Sequence, residues 1–165
     1  MFSYASIIDC AHFSKYIGSF SKGSEMYILT EDGVNVIDLK TSQRIRSYVG
    51  KWSLDSTLIL SYYQVIVVDS LQGRVHGYEN KEDGRLVWVV DIPKVKSSFA
   101  GRTNTFIFVY HKDFRSHFVT VIRSSDGCFL RSMNLNAGDI LSGRDTLYIV
   151  NQITGLGKVY HEGVP

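Results

Sequence analysis

Apolar residues in this chain come in short blocks of four to six, separated by polar turns, and no stretch of convincing length keeps a helical period. The strongest blocks begin at Met26, Val65, Phe106 and Leu147, at intervals of 39, 41 and 41 residues. Each is followed by a second block, at 34–39, 74–78, 118–122 and 158–160, and three units then continue through a polar turn into a third, at 44–49, 85–92 and 128–135. Two apolar, β-branched or aromatic runs around a polar turn are the sequence form of a β-hairpin. The turn at 79–88 is the clearest, and weaker copies lie at 39–48 and 123–132; aligned on Gln43, Gly84 and Gly127 they are 41 and 43 residues apart.

A repeat of that length predicts four-stranded antiparallel sheets arranged as the blades of a propeller. Shorter apolar pieces before each unit supply the innermost strands: 58–61 and 140–142 are distinct, 16–18 and 98–101 weaker. The chain therefore reads as all-β, one propeller-like domain over 1–165, with blades at about 13–50, 56–93, 97–135 and 138–162. Continuous apolar runs such as Val65-Ile-Val-Val68 suit strands covered on both faces, and the alternating 44–49 run suits an outer strand with one wet side. The expected core is Ile28, Ile37, Ile66, Val68, Tyr78, Trp88, Ile107, Phe108, Val121 and Ile149. The last blade runs out after Tyr160. Two expectations stay open: a small ring whose missing strand comes from the apolar piece at 2–8, or a partial propeller that is either a fragment, as of a membrane-complex subunit, or a piece completed by another chain.

Composition changes this picture little. An apolar share of 44% and a charged share of 21% over 165 residues suit a globular domain, and 13% aromatics lean toward sheet. A net charge of +2 without runs of like charge gives no reason to expect nucleic acid as a partner. No segment reaches the length of a membrane span, and the N-terminal residues lack the basic start and apolar stretch of a signal peptide. Cys10 and Cys128 have no zinc or framework spacing and are expected as reduced, buried thiols.

Candidate chemistry resolves mostly into structure. His12, His76, His111, His117 and His161 form no HxH or HExxH pair, and His111 with His117 is expected at a hairpin tip. Asp38, Asp69, Asp91 and Asp126 recur at strand ends, where Asp side chains bond turn amides. Gly155-Leu-Gly157 precedes no helix and so reads as a hairpin turn, not a phosphate loop. Lys40, Arg44, Arg46, Lys94, Lys96 and Arg102 are expected on a solvated rim. Trp88 is expected between blades, and Trp52, just past an outer strand, as a possible partner contact. No catalytic, cofactor-binding or metal-binding residue is assigned.

The hairpin residues carry a family resemblance. Asp83-Gly-Arg-Leu-Val-Trp88 resembles the repeat of the quinoprotein-like (PQQ-type) propellers, in which an apolar strand, a Thr-Gly turn and a strand ending in Trp recur. The copy at 36–45 keeps the Ile-Asp-Leu and Thr but has Gln43 for Gly and Tyr48 near the Trp place; the copy at 125–130 keeps the turn and loses the Trp. Gly73-Arg-Val-His-Gly-Tyr-Glu79 followed by 84–88 is similar to the lumenal propeller of the largest subunit of the endoplasmic-reticulum membrane complex. The resemblance implies a propeller, a Trp packed between blades, and assembly with other protein subunits in the endoplasmic-reticulum lumen. Quinone-dependent members add a calcium site with acidic and basic ligands, which no residues here are placed to supply. The leading functional expectation is a non-catalytic interaction or scaffold module, associating with other subunits or with itself; the alternative is a quinone- and calcium-binding oxidoreductase-type propeller.

Overall fold

The computed structural model describes residues 14–61, 63–94, 98–102, 106–112, 117–136, 139–142 and 147–160. Everything regular among them is β-structure. The first sheet holds β1 (Tyr16–Lys22), β2 (Glu25–Thr30), β3 (Gly33–Asp38) and β4 (Gln43–Val49). The second holds β5 (Thr57–Leu60), β6 (Gln64–Asp69), β7 (Arg74–Glu79) and β8 (Leu86–Asp91). The third is β9 (Ser98–Arg102), β10 (Phe106–Lys112), β11 (His117–Arg123) and β12 (Phe129–Asn134), and the fourth is β13 (Asp139–Ser142), β14 (Leu147–Asn151) and β15 (Gly157–Tyr160). Each sheet is an antiparallel meander whose strand order follows the chain. The first strands adjoin from sheet to sheet, β1 beside β5 and β5 beside β9, which makes them the inner ring of an open propeller array. The weakly patterned pieces at 16–18 and 98–101 do form inner strands. The N-terminal piece at 2–8 lies outside the described residues.

Strand periodicity builds the seams between blades. Successive side chains point to opposite faces, so one strand serves two neighbours. In β6 all six residues are buried. Val65 and Val67 face the first blade, where they meet Tyr27, Leu29, Val34, Val36 and Tyr48. Ile66 and Val68 face the third and meet Ile107, Val109 and Ile122. Phe106, Phe108, Val119 and Val121 then turn to the other side of the third blade. All ten residues expected in the core are buried. The fourth strands are wetter, with Ile45, Leu86, Val87, Val89 and Phe129 between 41% and 49% exposed, as outer strands should be.

A register bulge recurs between the third and fourth strands of the first three blades, at Val36/Ile37, Gly77/Tyr78 and Val121/Ile122. The recurrence ties the sequence repeat to one local geometry. The residue in left-handed conformation in the first turn is Ser42 (φ 58°), one position before Gln43; Gly84 (φ 53°) and Gly127 (φ 71°) hold it in the next two. The turn spacing is thus 42 and 43 residues.

Candidate interaction surface

Trp88 closes the seam between the second and third blades. It is paired across the sheet with Gly77, and a Cβ added at Gly77 would lie 2.2 Å from the indole. On its other face sits the turn glycine of the next blade: a Cβ on Gly127 would come within 2.5 Å of the same ring. The indole is sandwiched between two absent side chains. Tyr48 repeats the device one blade earlier, with its ring 3.0 Å from a Cβ built on Gly84. By ladder register the first-blade counterpart of Trp88 is Arg46, since Val36 pairs with Arg46 as Gly77 pairs with Trp88. Tyr48, two residues on, takes over the packing.

Arg46 instead enters a polar cluster at the rim of the first seam. Its Nη2 donates to Glu25 Oε2 at 2.7 Å and to the Tyr27 hydroxyl at 3.2 Å. Tyr27 donates to Glu25 Oε2 at 2.7 Å. Asn80, in the loop between β7 and β8, donates from Nδ2 to the Tyr27 hydroxyl at 3.1 Å and accepts from the Tyr48 hydroxyl at 3.2 Å. Burial works to raise the Glu25 carboxyl, but the bonds from Tyr27 and Arg46 outweigh it and hold it below the usual range. Asn80 joins two blades without any motif to announce it.

A second polar device appears twice, in exchanged chemistry. In the second blade the fully buried Asp69 accepts from Ser53 N at 2.8 Å, Ser53 Oγ at 2.7 Å and Gln72 N at 3.0 Å. These bonds overcome the upward push of burial and keep its carboxyl depressed. In the fourth blade the amide of Asn151 stands at the same strand end and donates to Asp139 Oδ1 at 2.7 Å, while Asp139 Oδ2 accepts from Asn136 N at 2.8 Å. In each case a polar pair ties the incoming connection to the end of the blade's second strand. The third blade has His111 there, fully buried and stacked on Phe118 at 4.5 Å. Its Nε2 pairs with Thr120 Oγ1 at 3.1 Å, its Nδ1 has no partner, and burial depresses its pKa to about 4.

The remaining candidates fall as follows. Asp38 accepts from the amides of Lys40 and Thr41, and Asp126 from that of Cys128, as turn caps; Asp91 instead pairs with Arg74 at 3.4 Å. The hairpin-tip expectation fails for His111, because β10 continues past it and turns its side chain into the seam. His117 is half-buried and bonded to the Tyr110 hydroxyl at 2.7 Å. His76 is half-buried against Trp52, its pKa lowered by burial and by Arg74. Cys128 is a free thiol and exposed, because it follows a turn onto an outer strand, which corrects the expectation of burial. Cys10, His12, Lys96 and His161 lie outside the described residues. Arg46 is drawn away from the expected basic rim by Glu25. Gly155 (φ 71°) forms the turn between β14 and β15 as expected.

Trp52 is 5% exposed. Its ring meets His76 edge-on at 4.7 Å and Tyr78 at 6.2 Å, inside the first seam. Gly50 allows this, since a Cβ there would fall 2.2 Å from the indole. In this structure Trp52 is a buried packing residue of that seam.

The fourth sheet has three strands among the described residues, and it exposes Tyr148 (45%), Ile153 (77%) and Leu156 (73%). Ile153 and Leu156, with Asn136, Asp139, Ile149 and Lys158, border a groove of about 460 Å³ on the sheet face opposite Tyr148. The first blade carries a smaller hollow of about 200 Å³ bordered by Thr30, Asn35, Arg44 and Val49, the last 85% exposed. Among the described residues no three His, Cys, Asp or Glu side chains converge on a point. No helix among them is long and apolar enough to cross a membrane.

No protein-family model matches the chain, and no curated protein does. Solved structures match through their fold. The computationally designed protein Ika4 superimposes with a TM-score of 0.71 at 16% identity, covering 99% of this chain and 100% of Ika4. BamB from Moraxella catarrhalis matches with a TM-score of 0.60 at 16% identity, over 86% of this chain and 41% of BamB. The WD40 domain of coronin from Toxoplasma gondii gives 0.60 at 12% identity, over 91% of this chain and 44% of that one. The likeness is to β-propellers in general, with nothing particular to the quinoprotein type. The chain spans less than half the length of either natural propeller and the whole of the designed one.

Proposed function

We propose that this chain is a non-catalytic protein-interaction module that works as a scaffold through the open ends of its blade array. The observation that carries this reading is the fourth blade, which exposes Tyr148 (45%) on one face and Ile153 (77%) and Leu156 (73%) at its last hairpin. Exposed apolar groups of this kind are surfaces that association covers. The groups with shifted pKa give no competing chemistry. Glu25 and Asp69 are depressed by bonds that hold blades and loops, and His76 and His111 by burial in seams. Within this reading, a quinoprotein-like array among the subunits of an endoplasmic-reticulum membrane complex is supported only by the motif at 73–88.

The test is lysine cross-linking in the native cell followed by mass spectrometry. Lys158, exposed beside the groove, is expected to link to another polypeptide or to a second copy. Links confined to lysines within one chain would contradict the proposal.

A further inference from the structure

We infer that the groove on the fourth blade is a docking site for a tryptophan side chain presented by another polypeptide. The inference rests on the interaction reading above and gives that partner its chemistry. One ladder position, followed from blade to blade, leads to it. In the second blade His76 stands across the ladder from Val67, on the side of the first seam. The same position is Asn35 opposite Ile28 in the first blade, Thr120 opposite Val109 in the third, and Lys158 opposite Ile149 in the fourth. Matching turns fix the correspondence of the second and fourth blades. Gly73 and Gly155 are both left-handed, and their amides donate to the carbonyls of Asp69 and Asn151.

What covers this position differs between blades. In the second it is Trp52, which folds back from the incoming connection and sets its ring edge-on against His76 at 4.7 Å. In the third, Thr120 is itself fully buried and bonded to His111. In the first, Arg44 Nη1 reaches Asn35 Oδ1 at 3.5 Å. In the fourth, Lys158 is exposed and makes no hydrogen bond or ion pair with a described residue. The stretch leading into this blade, 135–138, reads Leu-Asn-Ala-Gly and carries no ring. The groove thus lies where the second blade seats an indole, and its volume of about 460 Å³ is that of a small-ligand pocket. Ile149, Ile153 and Leu156 line it with apolar groups, and Leu156 takes the place that Arg74 has in the second blade. Asp139 and Asn151 are bonded to each other and to backbone amides, so Lys158 is the polar group left to meet a guest. An ammonium beside apolar walls favours a guest that is apolar yet presents a negative face. An aromatic ring does so through its quadrupole, and tryptophan does so best. The chain has two tryptophans, and both are buried in other seams. Neither of them, in this copy or in a second, is available as the guest.

The experiment is a titration of the isotope-labelled chain with N-acetyl-tryptophanamide and, separately, with N-acetyl-leucinamide, followed by amide NMR shifts. The indole probe should move the amides of Ile149, Leu156 and Lys158 to saturation, and the leucine probe should bind there more weakly. Lys158→Ser should weaken the indole probe about two- to fivefold. Tyr148→Ser, on the opposite face of the sheet, should leave its binding unchanged. Equal binding of the two probes, no shift at these amides, or no effect of Lys158→Ser overturns the inference. Movement of the same amides with protein concentration alone would put a second copy in the groove and overturns it too. The cellular cross-links keep this test apart from the scaffold reading. Links from Lys158 to another polypeptide together with a failed titration remove the tryptophan and leave the scaffold standing. A failed titration without such links removes both.

Discussion

Replacing Gly127 by Ala should cost far more than the same change at Gly155, although both glycines have φ 71°. An L-residue in the left-handed region costs roughly 1–2 kcal/mol at either place. At Gly155 that is the whole effect, because a Cβ there meets nothing within 4 Å. At Gly127 the new carbon would lie 2.5 Å from Trp88 Cδ2, and the ring has little room to retreat because the Gly77 backbone lies so close that a Cβ there would clash with it too. Overpacking of this kind adds about 1–3 kcal/mol. Gly127→Ala should therefore destabilise by about 2–5 kcal/mol and Gly155→Ala by about 1–2 kcal/mol. Urea unfolding followed by far-ultraviolet circular dichroism reads the difference as a shift in midpoint. A double-mutant cycle isolates the contact: once Trp88→Ala has removed the ring, Gly127→Ala should fall back to its backbone cost. Equal losses at Gly127 and Gly155, or no coupling between Gly127 and Trp88, would refute the claim that the indole is clamped between blades.

His111 should make the fold sensitive to acid. The unfolded chain protonates this imidazole near the ordinary value of 6.5, whereas the folded chain resists until about 4. Its contribution is whole above pH 6.5 and falls by about 1.4 kcal/mol per pH unit down to 4, on the order of 3 kcal/mol in all. His111→Phe, which keeps a ring on Phe118, should flatten the stability curve over that interval, as urea titrations at stepped pH would show. Asp69→Ala strands three donors and should cost on the order of 3 kcal/mol. Because its folded carboxyl is depressed, the loss should be fully present at neutral pH and shrink as the pH falls through the folded value. Cys128 should react with a thiol reagent in the native protein carrying Cys10→Ser; a need for denaturant would contradict its exposure.

The sheets were legible because a strand period of 2 and a unit repeat of 39 to 43 residues survive in the apolar pattern even where individual motifs decay. The packing role expected for Trp88 came with the family resemblance carried by residues 83–88. What the pattern could not show was which residue a turn would face across a seam. Gly127 reads as a turn glycine and is also the wall of the Trp88 slot; Gly77 reads as a weak strand position and is its floor. Trp52 and His111 stood beside predicted strand ends and so read as surface groups. Gly50 lets the first fold back onto the seam, and an extended β10 carries the second inside. Asn80 had no signal at all, since its side-chain partners Tyr27 and Tyr48 come within reach only when two blades meet.

Hydrogen exchange across a concentration series tests the central claim, that the ends of the array are the working surface. Amides of β6 and β10, buried on both sides, should exchange slowly at every concentration. Those of β14 and β15 should exchange quickly in dilute solution and gain protection when a partner, a second copy at high concentration or another polypeptide, covers the last blade. Protection in the last sheet that is already high in dilute solution, and does not change with concentration, would contradict the account.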